Sequence, residues 1–228
     1  MDTEIRSRLQ QIVEEISGSP PIREDYEVVS RILFATNMAY IDSHLFGEDS
    51  LVSQTLGQYR GRVEEHFSQS VERGLKTLGA LTIHINPLSQ QSIGEWAKLI
   101  EEEKISHGLA LASLDACRRE QIGCCFHRSI WFDLVAQGYG KNVKSRAVDG
   151  HWKEGEKEGF HCFNVALDIG TGNPYLVDTA LLDSDGFPLI KRINYDNDSP
   201  EVRLSDGKLR VYTIQDTIKY CSPEIPSQ

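Results

Sequence analysis

The fold of this chain is decided by the stretch Phe160–Leu181, which reads FHCFNVALDIGTGNPYLVDTAL. It contains two short apolar segments, Phe160–Asp168 and Tyr175–Leu181, and the turn residues Gly170–Pro174 lie between them. Apolar segments of this length, bounded by glycine, asparagine and proline, are typical of β-strands joined by a short connection. The stretch therefore predicts an antiparallel hairpin that turns near Gly172.

Further elements of the second half follow from the same kind of pattern. Asn142–Val148 precedes the hairpin as a strand candidate, and Leu189–Ile193 and Leu209–Ile214 follow it with weaker patterns. The segment Cys125–Ala136 has its apolar residues on one side and is soon followed by two glycines. It predicts an amphipathic helix that ends at a glycine and lies just before the strands.

The first half of the chain, from Thr3 to about Glu120, has a helical pattern. Its apolar residues recur at spacings of three and four, which is one face of a helix. The predicted helices are one that stops at Gly18, Glu24–Leu45, Asp49–Leu78 with a break or bend at Gly57 and Gly61, and one that begins near Ser92 and Glu95. We therefore predict an α+β fold with helices on one side of an antiparallel sheet. The predicted units are a helical N-terminal region, 1–106, and a core, 107–228.

The composition excludes several classes of protein. The chain has 228 residues and a formal net charge of −10, so a phosphate backbone would be repelled and nucleic acid is not an expected partner. No apolar run approaches the roughly 20 residues that span a bilayer, and the N-terminus lacks the pattern of an export signal. We expect a soluble, cytoplasmic protein without membrane contact. An odd number of cysteines favours reduced thiols over a disulfide framework. They are Cys117, Cys124, Cys125, Cys162 and Cys221.

Three positions carry the predicted chemistry: Cys125, His161 and Asp178. Cys125 falls in the first turn of the predicted helix, where free N–H groups and the positive end of the helix dipole stabilise a thiolate. His161 lies in the first strand of the hairpin and Asp178 in the second, and antiparallel pairing brings the two side by side. A carboxylate on one ring nitrogen would fix the histidine tautomer and stabilise an imidazolium beside the thiolate.

The same segments resemble the transglutaminase-like superfamily, and the resemblance extends from Gly123 to Ala180. The matching segments are Gly123-Cys124-Cys125 with Ser129 for the nucleophile helix, Val143–Val148 for the next strand, His161–Val165 for the histidine strand and Tyr175–Thr179 for the aspartate strand. The arylamine N-acetyltransferases share the order Cys, His, Asp, and their aspartate segment is also similar to Tyr175–Asp178. The first half of this chain does not look like their N-terminal domain.

This resemblance implies a papain-like core, in which the nucleophile helix packs on an antiparallel sheet, and a catalytic triad of Cys125, His161 and Asp178. It implies an acyl-thioenzyme that forms from an amide or thioester donor and passes its acyl group to an amine or to water, without a cofactor or a metal ion. The residues do not separate transamidation, amide hydrolysis and amide formation from a thioester. The residues also do not decide whether the helical first half serves as a lid, a homodimer surface or a docking face for a partner.

Several alternatives stay open at this point. The register of the resemblance favours Cys125 over Cys124 as nucleophile, and Cys124 is then a small buried hydrophobic residue. Cys124, Cys125, Cys162 and His161 could instead be core residues. The protein could also retain the fold as a non-catalytic binding or scaffold module. A zinc site is disfavoured because adjacent cysteines rarely share one tetrahedral ion. Its ligands would come from Cys124, Cys125, His127, His161 and Cys162.

Overall fold

The structure, a computed structural model, describes residues 32–34, 37–40, 50–87, 110–114, 118, 121, 124–183, 185–193, 201–204 and 208–217. Its helices are α1 (Leu51–Gln69), α2 (Val71–Ile85) and α3 (Cys125–Tyr139). Its strands are β1 (Ile32–Phe34), β2 (Asn37–Tyr40), β3 (Ala110–Ser113), β4 (Val143–Glu154), β5 (Lys157–Asp168), β6 (Pro174–Leu182), β7 (Pro188–Arg192), β8 (Glu201–Arg203) and β9 (Leu209–Thr217).

Strands β4 to β9 form one antiparallel sheet in the order β7-β6-β5-β4-β9-β8. The predicted hairpin is confirmed as β5 and β6, whose ladder runs from Leu167 opposite Pro174 to Asn164 opposite Val177. The other three strand predictions are also confirmed, and β4 is longer than expected because it pairs with β5 along all 12 of its residues. This pairing places the β5–β6 hairpin near the middle of the sheet.

The described helices pack on one face of this sheet, as the α+β prediction expected. That face buries Ala147, Cys162, Ala166 and Val177 in one core with α1, α2 and α3. The opposite face carries a second apolar cluster, made of Val148, Phe163, Val165, Leu167, Leu176, Leu189, Ile193 and Tyr212. Side chains alternate between the two faces along each strand, so β5 sends Cys162 to one cluster and Phe163 to the other.

Helix α3 is more deeply buried than an amphipathic helix would be. Its residues from Phe126 to Ala136 are all buried, including the charged residues Arg128 and Asp133. The one-sided pattern predicted from the sequence was therefore wrong in this respect, because α1 and α2 cover the helix on the side away from the sheet. The predicted stop is confirmed: α3 ends at Gly140, whose φ of 64° is the left-handed conformation that suits glycine.

The first half of the chain departs from the all-helical prediction at two places. The segment Glu24–Leu45, predicted as a helix, contains β1 and β2, and Ala110–Ser113 forms β3. β1 and β2 are antiparallel, whereas β2 and β3 pair in parallel with Asn37 opposite Ala110. Parallel pairing joins segments that are far apart in the chain, so local periodicity does not reveal it.

The long helix predicted over Asp49–Leu78 is two helices. The break lies at Ser70, where the backbone is extended and the Ser70 hydroxyl accepts a hydrogen bond from the backbone N–H of Arg73 at 3.1 Å, which caps α2. Gly57 and Gly61 lie inside α1 and do not break it. The helices predicted before Gly18 and after Ser92 lie outside the described residues, and the boundary between 106 and 107 stays a prediction. No described helix is long and apolar enough to cross a membrane.

Candidate active site

The candidate site begins at the first residue of α3, which is Cys125. Cys124 precedes it with an extended backbone, and its N–H donates a hydrogen bond to Nδ1 of His127 at 3.1 Å. The thiol of Cys125 is partly exposed and packs against the core beneath α3. The prediction that this cysteine opens the helix is confirmed, and the location favours a negative charge on the sulfur because unpaired N–H groups and the helix dipole meet there.

His161 and Asp178 lie together where the β5–β6 ladder ends. Nε2 of His161 and Oδ2 of Asp178 are 2.7 Å apart, and the two side chains are 8% and 0% exposed. The structure thus brings the two predicted residues side by side, as the hairpin implied. Because Asp178 binds Nε2, the nitrogen that remains for the thiol is Nδ1.

Asp178 has two further hydrogen-bond donors that sequence reasoning missed. The hydroxyl of Tyr212 donates to Oδ2 at 2.7 Å, and the backbone N–H of Ala180 donates to Oδ1 at 2.9 Å. Tyr212 is fully buried on β9 and lies opposite Trp152 of β4. Gly150 allows β9 to approach this closely, since a Cβ there would lie 2.0 Å from the carbonyl oxygen of Thr213. Both oxygens of the Asp178 carboxylate therefore accept hydrogen bonds.

The electrostatics of the site favour an ion pair between thiolate and imidazolium. The pKa of Cys125 lies well below its usual value because the thiols of Cys124 and Cys162 and the ring of His161 donate hydrogen bonds to the sulfur, which outweighs burial. Burial opposes the charge on His161, but the charge and hydrogen bond of Asp178, together with the Cys125 sulfur, raise the pKa of His161 to about 10. These two shifts favour the negative sulfur and the positive ring over the neutral pair.

The pKa of Cys124 shifts in the opposite direction to that of Cys125. Its hydrogen bond to Cys125 and its burial raise the pKa of the Cys124 thiol well above the usual value, so this thiol stays protonated and donates to Cys125. His127 is fully buried, and burial lowers its pKa to about 4, which keeps that ring neutral. The two adjacent cysteines are thus electrostatically distinct, and the charges favour Cys125 as the nucleophile.

A buried arginine connects α3 to β6. Arg128 of α3 donates from Nη1 to the carbonyl oxygen of Thr179 at 3.0 Å and from Nη2 to that of Asn86 at 3.1 Å. Thr179 directly follows Asp178, and Asn86 caps the end of α2. The guanidinium thus joins three elements around the site. It also brings a positive charge within electrostatic range of Asp178.

A second buried polar group holds α3 on the sheet beneath the site. Asn164 of β5 donates from Nδ2 to the carbonyl oxygen of Ser129 at 2.9 Å and to Oδ1 of Asp133 at 2.6 Å. Asp133 also accepts from the hydroxyl of Ser145 at 2.5 Å and from the backbone N–H of Ala147 at 2.9 Å. Burial raises the pKa of Asp133 to about 6 despite these donors. The position of the helix is therefore fixed by specific bonds as well as by apolar packing.

No group of three or more histidine, cysteine, aspartate or glutamate side chains within the described part of the chain has an arrangement that could hold a metal ion. The five residues that the zinc alternative would use all belong to that part. Comparison of the chain with protein-family models, with curated proteins and with solved structures gives no match.

Proposed function

We propose that the protein is a cysteine-dependent acyl-transfer enzyme with a papain-like triad in which Cys125 is the nucleophile, His161 the acid and base, and Asp178 the residue that orients His161. The observation that carries the proposal is the pairing of the His161 ring with the fully buried carboxylate of Asp178, beside a partly exposed cysteine at a helix N-terminus whose pKa that ring lowers. Contacts in this order supply an ionised nucleophile, a proton carrier and a fixed tautomer.

The reaction would proceed in two halves. The Cys125 thiolate attacks the carbonyl carbon of an amide or thioester donor, and the backbone N–H of Cys125 donates to the resulting oxyanion. His161 gives its proton from Nδ1 to the leaving amine or thiol, which leaves an acyl-thioenzyme. In the second half, neutral His161 takes a proton from an amine or a water molecule as that acceptor attacks the acyl group, and the thiolate is restored.

Intact-mass measurement tests the proposal most directly. The protein is incubated separately with a glutamine peptide, an acyl-coenzyme A and an activated aryl ester, and we expect one of these donors to add its acyl mass to the protein. The adduct should map to Cys125 and be absent from Cys125→Ala. Cys221→Ala serves as a control for the loss of a thiol elsewhere in the chain, and an adduct that persists in Cys125→Ala would contradict the proposed nucleophile.

The pH profile of alkylation separates this proposal from a non-catalytic binding or scaffold protein. We expect the rate of reaction between iodoacetamide and Cys125 to stay high well below pH 8, since the thiolate is already formed there. A profile centred on the ordinary thiol value of about 8.5 would favour the binding or scaffold function.

A further inference from the structure

Three thiols meet where α3 begins, and the proposed reaction uses one of them. Cys124 and Cys125 are consecutive, and Cys162 comes from β5, on the sheet face that α3 covers. Cys162 is 1% exposed. Asn164, two residues after Cys162 on β5, donates to the carbonyl oxygen of Ser129, one turn after Cys125 on α3, and Cys125 packs against the core cluster that contains Cys162. A second sulfur from another element therefore lies beside the first turn of α3, and it lowers the pKa of Cys125. In acyl transfer that second sulfur has no role beyond stabilising the Cys125 thiolate.

The geometry of the chain distinguishes the two neighbours as disulfide partners of Cys125. Consecutive Cα atoms are about 3.8 Å apart, whereas disulfides usually join Cα atoms about 4.4 to 6.8 Å apart. A link between Cys124 and Cys125 would therefore distort the backbone at the first turn of α3. Cys162 belongs to a different element and is free of this constraint.

We propose that Cys125 and Cys162 form a reversible disulfide when a hydroperoxide reacts with the site. The Cys125 sulfur attacks the peroxide oxygen that carries the hydrogen atom, and the O–O bond breaks. The other oxygen leaves as an alkoxide, or as hydroxide when the oxidant is hydrogen peroxide, so the sulfur is oxidised to a sulfenic acid and the peroxide is reduced. The Cys162 sulfur then attacks the Cys125 sulfur, the S–O bond breaks, and the oxygen departs as water with the thiol proton. The product is a Cys125–Cys162 disulfide, which two equivalents of thiol reduce back to the starting state.

The burial of the two sulfurs assigns each its part in this chemistry. Cys125 is partly exposed and carries the negative charge, so it is the sulfur that a dissolved peroxide reaches and oxidises. Cys162 is shielded from solvent, but it needs no access to solvent because its reaction partner already lies against it. The disulfide would block the nucleophile and protect it from irreversible oxidation to the sulfinic acid. The inference needs the Cys125 thiolate, and it holds whether or not that thiolate transfers acyl groups.

The test treats the full chain with hydrogen peroxide, blocks the remaining thiols with iodoacetamide and measures mass. We expect the loss of two hydrogen atoms, reversed by dithiothreitol, and a covalent link between the tryptic peptides Glu120–Arg128 and Glu158–Lys191. The first peptide contains both Cys124 and Cys125, so the link is assigned in Cys124→Ser, where Cys125 is the sole thiol of that peptide.

The matched variants are Cys162→Ser, which keeps a donor beside Cys125, and Cys162→Ala, which keeps an apolar core residue; circular dichroism shows which of them folds. In a folded variant we expect no link and a build-up of Cys125 sulfinic acid that dithiothreitol does not reverse. A link from Cys125 to Cys124, Cys117 or Cys221, or equal sulfinic acid formation with and without Cys162, would overturn the proposal. Since the readout is mass, its failure is distinguishable from a failure to transfer acyl groups.

Discussion

Replacing Asp178 with asparagine should remove the charge that keeps His161 protonated. In the native site Oδ2 of Asp178 accepts from Nε2 of His161 at 2.7 Å, and this contact, together with the Cys125 sulfur, raises the pKa of the buried ring to about 10. In Asp178→Asn burial opposes a charge that the Cys125 sulfur alone supports, so the pKa of His161 should fall from about 10 towards its ordinary value of about 6.5. The amide N–H would also donate to Nε2, which moves the ring proton to Nδ1, so that Nδ1 no longer accepts the thiol proton.

The size of the effect follows from the thiolate population. With a positive His161 beside it, the pKa of Cys125 lies well below its usual value, and in the proposed ion pair the sulfur is fully ionised at pH 7. An ordinary thiol with a pKa of about 8.5 is only about 3% ionised at that pH, so the alkylation rate of Cys125 should fall about 30-fold. Turnover should fall further, by about 10⁴ in kcat, as in a triad whose carboxylate becomes an amide, because the tautomer is wrong as well.

Two measurements check this prediction. Alkylation of Cys125 by iodoacetamide is followed by mass spectrometry from pH 5 to 10, and the imidazole resonances of His161 are followed by NMR over the same range. The exposed Glu158 lies on β5, the strand that carries His161. The variant Glu158→Gln is therefore a control that removes one negative charge away from the site. An unchanged alkylation profile in a folded Asp178→Asn protein would refute the reasoning that links the carboxylate to the thiol.

Further predictions concern stability. Tyr212→Phe removes a buried donor to Asp178, and we expect it to lower the free energy of unfolding by about 1–3 kcal/mol; equal urea midpoints for the two proteins would contradict this. Gly74→Ala should destabilise by a similar amount, about 1–3 kcal/mol, because its Cβ would lie 2.3 Å from Cγ of Phe67. Gly57→Ala is the matched helix control: its Cβ meets nothing within 4 Å, so thermal unfolding should show a gain of up to about 1 kcal/mol.

The parts of the fold that the sequence predicted are those set by neighbouring residues. The hairpin of β5 and β6 is local, and its turn residues and apolar segments are enough to place His161 near Asp178. The start of α3 at Cys125 and its end at Gly140 depend on signals within one helix. The contact between the helix and the hairpin was inferred from a family resemblance, since no local pattern encodes it.

The parts that the sequence did not predict depend on contacts between distant segments. Tyr212 lies in a strand with a weak pattern, and its bond to Asp178 exists because β9 pairs with β4 rather than with a neighbour in the chain. Arg128 looks like a solvent-facing charge on a one-sided helix, but it is buried and binds carbonyl oxygens at the end of α2 and on β6. The strand β3 is missed for the same reason, since it pairs with the distant β2, whereas β1 and β2 are neighbours whose sequence pattern did not distinguish them from a helix. Periodicity describes one element, and burial depends on what packs against it.

The arrangement of charges explains how so polar a site can lie in the interior of the protein. Transfer of the thiol proton from Cys125 to His161 creates one negative and one positive charge side by side, so the total charge of the site does not change. In both states the three groups Cys125, His161 and Asp178 carry a net charge of about −1 because of the Asp178 carboxylate, and an uncompensated buried anion is costly. Arg128, always protonated, is buried within electrostatic range of Asp178 and binds the carbonyl of the next residue. The four groups therefore sum to zero charge both before and after the proton moves, and the proposed activation of Cys125 adds no net charge to the core.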